Sequence, residues 1–360
     1  MTDKDPLAKW ATWREIHAQP DIWDVWGHRF SEGRIRSWIA GLGVNEVWFT
    51  GAGTSAYIGD ILVAALEGQG GPRLRSIPST DIVARPHAFL SADARPLVVS
   101  FGRSGNSAES LGVLDALDAL APNAPRLNIT CNAKGALATR PAPGPQEVVL
   151  LPDATHDAGF AMTSSFSTMY LTALALFGPP CDLSERLRDL SDALRDTLTV
   201  YAGAVGDLPE RAVFVGSGPL AFAAREAALK VMELSAGQIP ALWDSTLGFR
   251  HGPKSFVRGD TAITVFLSSE PHAARYDADL VAELRSQFPK ARVTTVGPGG
   301  DIAVPAPNGD AWAAPVLVAY AQIAAVKWSQ ALGLGVDDPF AGQGTLSRVV
   351  SGVKLYPVAK

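Results

Sequence analysis

Short apolar runs recur along this chain, each closing on small or hydroxyl-bearing residues and leading into a stretch of helical length. The first covers residues 44–50 and ends Val47-Trp48-Phe49-Thr50; Gly51-Ala52-Gly53-Thr54-Ser55 follows, then a helical pattern through about Glu67. The next is Leu97–Phe101, followed by Gly102-Arg103-Ser104-Gly105-Asn106-Ser107 and a helix to about Leu120. Arg126–Thr130 and Glu147–Leu151 continue the series. Strand-length runs alternating with helix-length segments predict an α/β protein, its mostly parallel sheet covered by helices on both faces.

The second half repeats the plan at an offset of roughly 165 residues. Ala212–Gly218 answers Val47–Gly53, Ile263–Ser269 answers the run beginning at Val98, and Arg292–Val296 answers Arg126–Thr130. A helical segment at Pro315–Gln330 answers Ser164–Phe177. Four matches in order predict a duplicated α/β domain. Pro179-Pro180 and the Gly203–Pro209 stretch place the boundary within 180–210. The expected organisation is an N-terminal helical segment at 1–40, a first domain at 41–198, a second at 199–340 and a tail at 341–360. Residues 8–40 carry Trp10, Trp13, Trp23, Trp26 and Trp38 and are expected to pack on the first domain or on a partner subunit.

Composition narrows the class. A chain of 360 residues exceeds one comfortable core. Apolar residues at 47% with 19% charged describe a globular protein, and a net charge of -5 with interspersed signs argues against nucleic acid or anionic membrane partners. No apolar run reaches the ~20 residues that span a bilayer, and the start Met1-Thr2-Asp3-Lys4-Asp5 has no signal-peptide pattern, so a cytoplasmic protein is expected. Cys131 and Cys181 have neither metal-ligand nor disulfide-framework spacing.

Candidate chemistry lies in two places. Glu226, Lys230 and Glu233 stand at i, i+4 and i+7 of an Ala-rich helical pattern and share one face. They are followed by Arg250-His251-Gly252-Pro253-Lys254, a histidine in a turn. Carboxylate, ammonium and imidazole together can move protons on a small polar substrate, although a Glu–Lys pair also simply braces a helix by ~0.2–0.5 kcal/mol. In the first half, Thr54, Ser55, Ser104 and Ser107 sit in glycine-bearing loops before helices, which suits a phosphate as well as it suits routine capping. The loops lack the third glycine of the dinucleotide fingerprint, and no Gly-x-x-x-x-Gly-Lys-Ser/Thr is present, so a small phosphorylated substrate fits better than a nucleotide. Thr155–Ser165 is a further polar cluster; its Thr163 and Ser164 precede a helix and are candidates for capping or sugar contact, while His156 and Asp157 show no relay spacing.

These residues resemble the sugar isomerase family, a phosphosugar-binding fold met as two tandem domains. Gly51–Ser55 is similar to the family's first loop and Gly102–Ser107 to its Ser-Gln-Ser-Gly-Glu-Thr loop. Residues 225–254 resemble the isomerase half of glutamine–fructose-6-phosphate transaminase. The nearest likeness is to the bacterial galactosamine-6-phosphate deaminase/isomerase group, formerly called tagatose-6-phosphate ketose/aldose isomerase. It runs from Arg14–Pro20 through Gly342–Val353.

The resemblance implies that Thr54, Ser55, Arg103, Ser104 and Ser107 surround phosphate and sugar. It implies Glu233 as the base between C1 and C2, His251 as the ring-opening group contributed by a neighbouring subunit, and Glu226 and Lys230 as their supports. It also implies a homodimer or dimer of dimers with sites near the subunit interface, and chemistry without metal or redox cofactor. Two departures stand out. These 360 residues hold no stretch similar to the glutamine amidohydrolase domain, so glutamine-dependent synthesis is not expected, and Ser351 falls where the transaminase has its tail lysine. Lys254 or Arg348 is then the candidate for positive charge. The implied reaction is deamination with isomerisation of galactosamine 6-phosphate to tagatose 6-phosphate. Ketose/aldose isomerisation without deamination, a sugar-phosphate sensor and a structural dimer-forming protein stay open as alternatives.

Overall fold

The computed structural model describes residues 5–91, 95–350 and 352–359. Two compact units divide the chain, and they interleave along it. One holds His28–His156, Ser164–Cys181 and the residues from Ser347 on; the other holds the residues up to Gly27, Asp157–Thr163 and Asp182–Leu346.

α1 (Ala11–Arg29) begins in the unit of the second sheet and passes into the unit of the first after Gly27. The unit that contains the first sheet then runs α2 (Glu32–Gly41), β1 (Glu46–Thr50), α3 (Thr54–Leu66), β2 (Arg73–Ser76), α4 (Ser79–Ala84), α5 (Pro86–Phe89), β3 (Leu97–Gly102), α6 (Ala108–Leu120), β4 (Arg126–Thr130), α7 (Ala136–Thr139), β5 (Gln146–Leu150) and α8 (Ser164–Phe177). Its five strands are all parallel, in the order β2-β1-β3-β4-β5. β3 is buried along its whole length, as the central strand of a sheet covered on both faces must be. Trp48, Val98, Ile77, Ile82, Val113 and Leu117 close the core on one face.

The other unit contains α9 (Leu183–Ala204), β6 (Arg211–Gly216), α10 (Pro219–Leu234), β7 (Ala241–Ser245), β8 (Thr261–Phe266), α11 (Pro271–Gln287), β9 (Arg292–Gly297), β10 (Ile302–Ala303) and α12 (Asp310–Ala331). Its order is β10-β9-β8-β6-β7, again all parallel. Written from the other edge, β7-β6-β8-β9-β10 is the topology of the first sheet, as a duplicated domain predicts. The α/β class with tandem parallel sheets is therefore the observed one. Among the described residues, no helix is long and apolar enough to cross a membrane.

Three strands escape the apolar-run pattern: β2, β7 and β10, each at or beside a sheet edge. β2 reads Arg-Leu-Arg-Ser with Arg73 and Arg75 beside Glu46, and every residue of β7 is half-buried. The expectation that residues 8–40 pack on the first domain holds for 28–40, which lie in that unit, and needs correction before it. Residues 5–27 belong with the second sheet's unit, where Asp337 accepts hydrogen bonds from Ala11 N, Thr12 N and Thr12 Oγ1 at 2.7–2.8 Å. A carboxylate at the first turn of α1 complements its helix dipole. Gln19 adds a buried bond to Gln322 of α12. Trp13, Trp23 and Trp26 are buried, whereas Trp10 is half-buried and donates to Gln330.

Candidate active site

The strand order of the first sheet reverses between β1 and β3, so the loops after these two strands flank the crevice where open α/β sheets hold ligands. Gly51 lies so close to the start of α3 that a Cβ there would come within 2.5 Å of Ser55 Cβ, and Gly53 has φ +56°, which L side chains resist. Thr54 and Ser55 open α3 and are buried, at the helix end that favours negative charge. In the second loop, Ser104 is half-buried and its Oγ accepts from Asn106 N. Asn132 Nδ2 donates to the Ser104 carbonyl, and Asn106 Oδ1 accepts from Ala136 N, so the loop after β4 braces this one. Ser107 caps α6 through Ser110 N at 3.2 Å. The Arg103 guanidinium is buried and donates to the Arg348 carbonyl at 3.0 Å.

The second sheet repeats the backbone of this crevice with different side chains. Gly216 and Gly218 (φ +54°) reproduce Gly51 and Gly53. Here, however, the hydroxyls of Ser217 and Thr246 donate to Asp277 Oδ1 at 2.7 and 2.6 Å, and Ser268 N donates to Oδ2 at 2.9 Å. Asp310 accepts from Ser268 Oγ and from Ser269 N and Oγ. Internal carboxylates consume the donors of this crevice.

The same unit carries the acid–base cluster. α10 starts at Pro219, whose fixed φ suits the first helical position. Its three charged residues line up as the helical period requires. Lys230 Nζ lies 2.6 Å from Glu233 Oε2 and 3.2 Å from Glu226 Oε1. Lys230 and Glu226 are fully buried, while the Glu233 side chain is 23% exposed. Burial works against the Lys230 charge, but the two carboxylates outweigh it and hold its proton affinity above the ordinary lysine value. The arrangement is a buried ammonium that fixes one carboxylate inside and presents another toward solvent.

No family model matches the chain. D-galactosamine-6-phosphate deaminase AgaS from Escherichia coli is 42% identical over 328 residues, 87% of this chain and 85% of that protein. The protein of the same name from Shewanella sp. is 36% identical over 360 residues, covering 97% of this chain and 92% of that one. The crystal structure of tagatose-6-phosphate ketose/aldose isomerase from Escherichia coli superposes with TM-score 0.83 at 35% identity over 99% of both chains. The chain belongs to the AgaS family of sugar isomerase-fold proteins.

The remaining candidates of this AgaS-family chain fall as follows. Thr163 is buried, its N–H and hydroxyl both donating to Asp157, while Ser164 is the buried first residue of α8. Ser351 lies outside the described residues. His251 is exposed at the turn between the 3-10 segments Gly248–Arg250 and Pro253–Phe256. Lys254, a candidate for positive charge, is paired with Glu283 of α11, and so is Arg250. Arg348 contributes its carbonyl to Arg103. Two residues had no signal in the sequence. Ser79 donates its N–H to the Gly51 carbonyl and keeps a buried hydroxyl without a partner among the described residues. Glu283 stands 29 and 33 positions from the residues it binds, a separation no helical or strand period marks.

Proposed function

We propose that this chain deaminates and isomerises an amino sugar phosphate, converting galactosamine 6-phosphate and water to tagatose 6-phosphate and ammonia. The observation that carries the reading is the Glu226–Lys230–Glu233 cluster on α10, with its innermost members fully buried and Glu233 reaching solvent. The two AgaS relatives support the substrate, through the activity for which they are named.

The phosphate is held by Thr54, Ser55, Ser104 and Ser107, with Arg103 nearby, in the crevice between the loops after β1 and β3. His251 moves a proton at the ring oxygen and opens the pyranose. Glu233 takes the C2 proton and returns it to C1, which turns the C1 carbonyl into an alcohol through an enolamine and leaves an iminium at C2. Water adds at C2, the C–N bond breaks, and ammonia departs from the ketose phosphate. Lys230 Nζ, 2.6 Å from Glu233 Oε2, holds that carboxylate in place. These steps use only groups of the chain and water. Thr163, Ser164 and Glu226 act from behind as supports, and Ser351 at the tail takes the transaminase lysine's place. The working form is a cytoplasmic homodimer or dimer of dimers, which offers a place for the exposed His251 near a subunit interface.

Simple isomerisation uses the same base on an enediol, and the solved relative from Escherichia coli bears that description. One experiment separates the two. Incubation with galactosamine 6-phosphate, glucosamine 6-phosphate and tagatose 6-phosphate, following ammonia and ketose separately, should give ammonia from galactosamine 6-phosphate. Interconversion of tagatose and galactose 6-phosphates with no ammonia from either amino sugar would select the isomerase instead.

A further inference from the structure

The segment that presents His251 is gripped from one helix by one carboxylate. Arg250 Nε donates to Glu283 Oε2 at 2.7 Å, and Lys254 Nζ donates to Glu283 Oε1. Both carboxylate oxygens are thus taken, one by each cation, and the two cations stand on either side of His251. The hydrogen bonds from Lys254 and Arg250 hold the Glu283 carboxyl below its ordinary range, so it is anionic where the enzyme works. Beyond the cations the loop is pinned by Phe249 and Val257, which are buried against Leu280 and Leu284 of the same α11.

His251 itself has no such restraint. Among the described residues its ring enters no hydrogen bond or ion pair, and only its backbone N–H is engaged, by the Gly248 carbonyl at 2.8 Å. Gly252, next in the chain, has φ +125°, a backbone only glycine adopts readily. An exposed imidazole beside a glycine, with nothing on its ring, keeps its place only if the flanking residues are fixed. The three side chains are part-buried, at 21–24% exposed, and form a two-cation bridge on one carboxylate. A bidentate carboxylate bridging two points four residues apart does restrict the geometry between them.

We propose that Glu283 is the positioning residue of His251: by bridging Arg250 and Lys254 it fixes the turn from which the imidazole reaches the sugar ring. The inference rests on the reading of His251 as the ring-opening group. A residue that acts only through another has no effect once that other is gone, and this separates positioning from scaffolding.

The test compares wild type, Glu283→Gln, Glu283→Asp, His251→Asn and the Glu283→Gln/His251→Asn double variant on galactosamine 6-phosphate. Glu283→Gln should lower kcat about tenfold with KM changed less than about threefold, and Glu283→Asp should recover part of the loss. In the His251→Asn background the same Gln substitution should cost less than about twofold. An equal cost in both backgrounds, or no cost in either, overturns the positioning role while leaving His251 in place. Wild-type turnover by His251→Asn would remove the reading of His251 and this inference with it. If the Gln variants fail to fold, the Asp substitution in the two backgrounds gives the same comparison.

Discussion

At the scale of single residues, the helix face of α10 separates stability from turnover. Lys230 lies between Glu226, which is fully buried, and Glu233, which is 23% exposed. Lys230→Met removes the ammonium paired with the buried Glu226 carboxylate and should destabilise the protein by about 3–5 kcal/mol, read by urea denaturation. Glu233→Gln keeps the size and removes the base. Turnover should fall by roughly 10²–10⁴-fold with KM and the denaturation midpoint close to wild type. A variant that lost stability but kept turnover would make Glu233 a structural partner of Lys230 and nothing more. The three residues were legible in the sequence because a helix brings i, i+4 and i+7 to one face whatever it packs against. Glu283 was not, since its partners lie on a turn that only the tertiary fold brings to α11.

At the scale of elements, the central strands and the edge strand β5 were legible, and the edge strands β2, β7 and β10 were not. β1, β3, β4, β6, β8 and β9 are apolar because helices cover both faces of the sheet, while β2 and β7 are only partly covered and carry polar residues accordingly. The docking of α1 was hidden for a different reason: its partners, Asp337 and Gln322, are polar groups more than three hundred positions away. The same helix supplies a titrating contact. Glu15 Oε1 accepts from Ala158 N at 2.6 Å, and burial raises its pKa to about 7, with the Asp157 and Asp337 charges adding to the rise and the amides of Ala158 and Gly159 opposing it. A carboxyl raised from 4.5 to about 7 binds its proton more tightly in the folded protein, so its contribution to stability is full below 4.5 and is lost as pH rises through about 7. Glu15→Gln mimics the protonated form. Its melting temperature should match wild type at pH 4.5 and exceed it increasingly toward pH 8. A constant difference between the two curves would remove Glu15 as the titrating group.

At the scale of the whole molecule, one domain plan has been used twice with different fillings. The second crevice is closed by Asp277 and Asp310, whose oxygens take the hydroxyl and amide donors of Ser217, Thr246, Ser268 and Ser269. In the first crevice the proposed anion ligands are Ser55, Ser104 and Ser107, in the loops after β1 and β3. Calorimetry should therefore give one hexosamine 6-phosphate per chain, with binding weakened by Ser104→Ala and untouched by Ser269→Ala; two equivalent sites per chain would contradict the division of labour. The same economy bears on His251, an exposed imidazole on a braced turn. If each site combines Glu233 of one subunit with His251 of another, a two-fold dimer made of one Glu233→Gln chain and one His251→Asn chain has one site with both defects and one with neither. Random mixing gives half of the dimers this composition, each with one of its two sites intact. Co-refolding equal amounts of the two inactive variants should restore about a quarter of wild-type turnover. Activity that stays at the level of the separate variants, with heterodimers confirmed by native mass spectrometry, would place Glu233 and His251 of each site in the same chain.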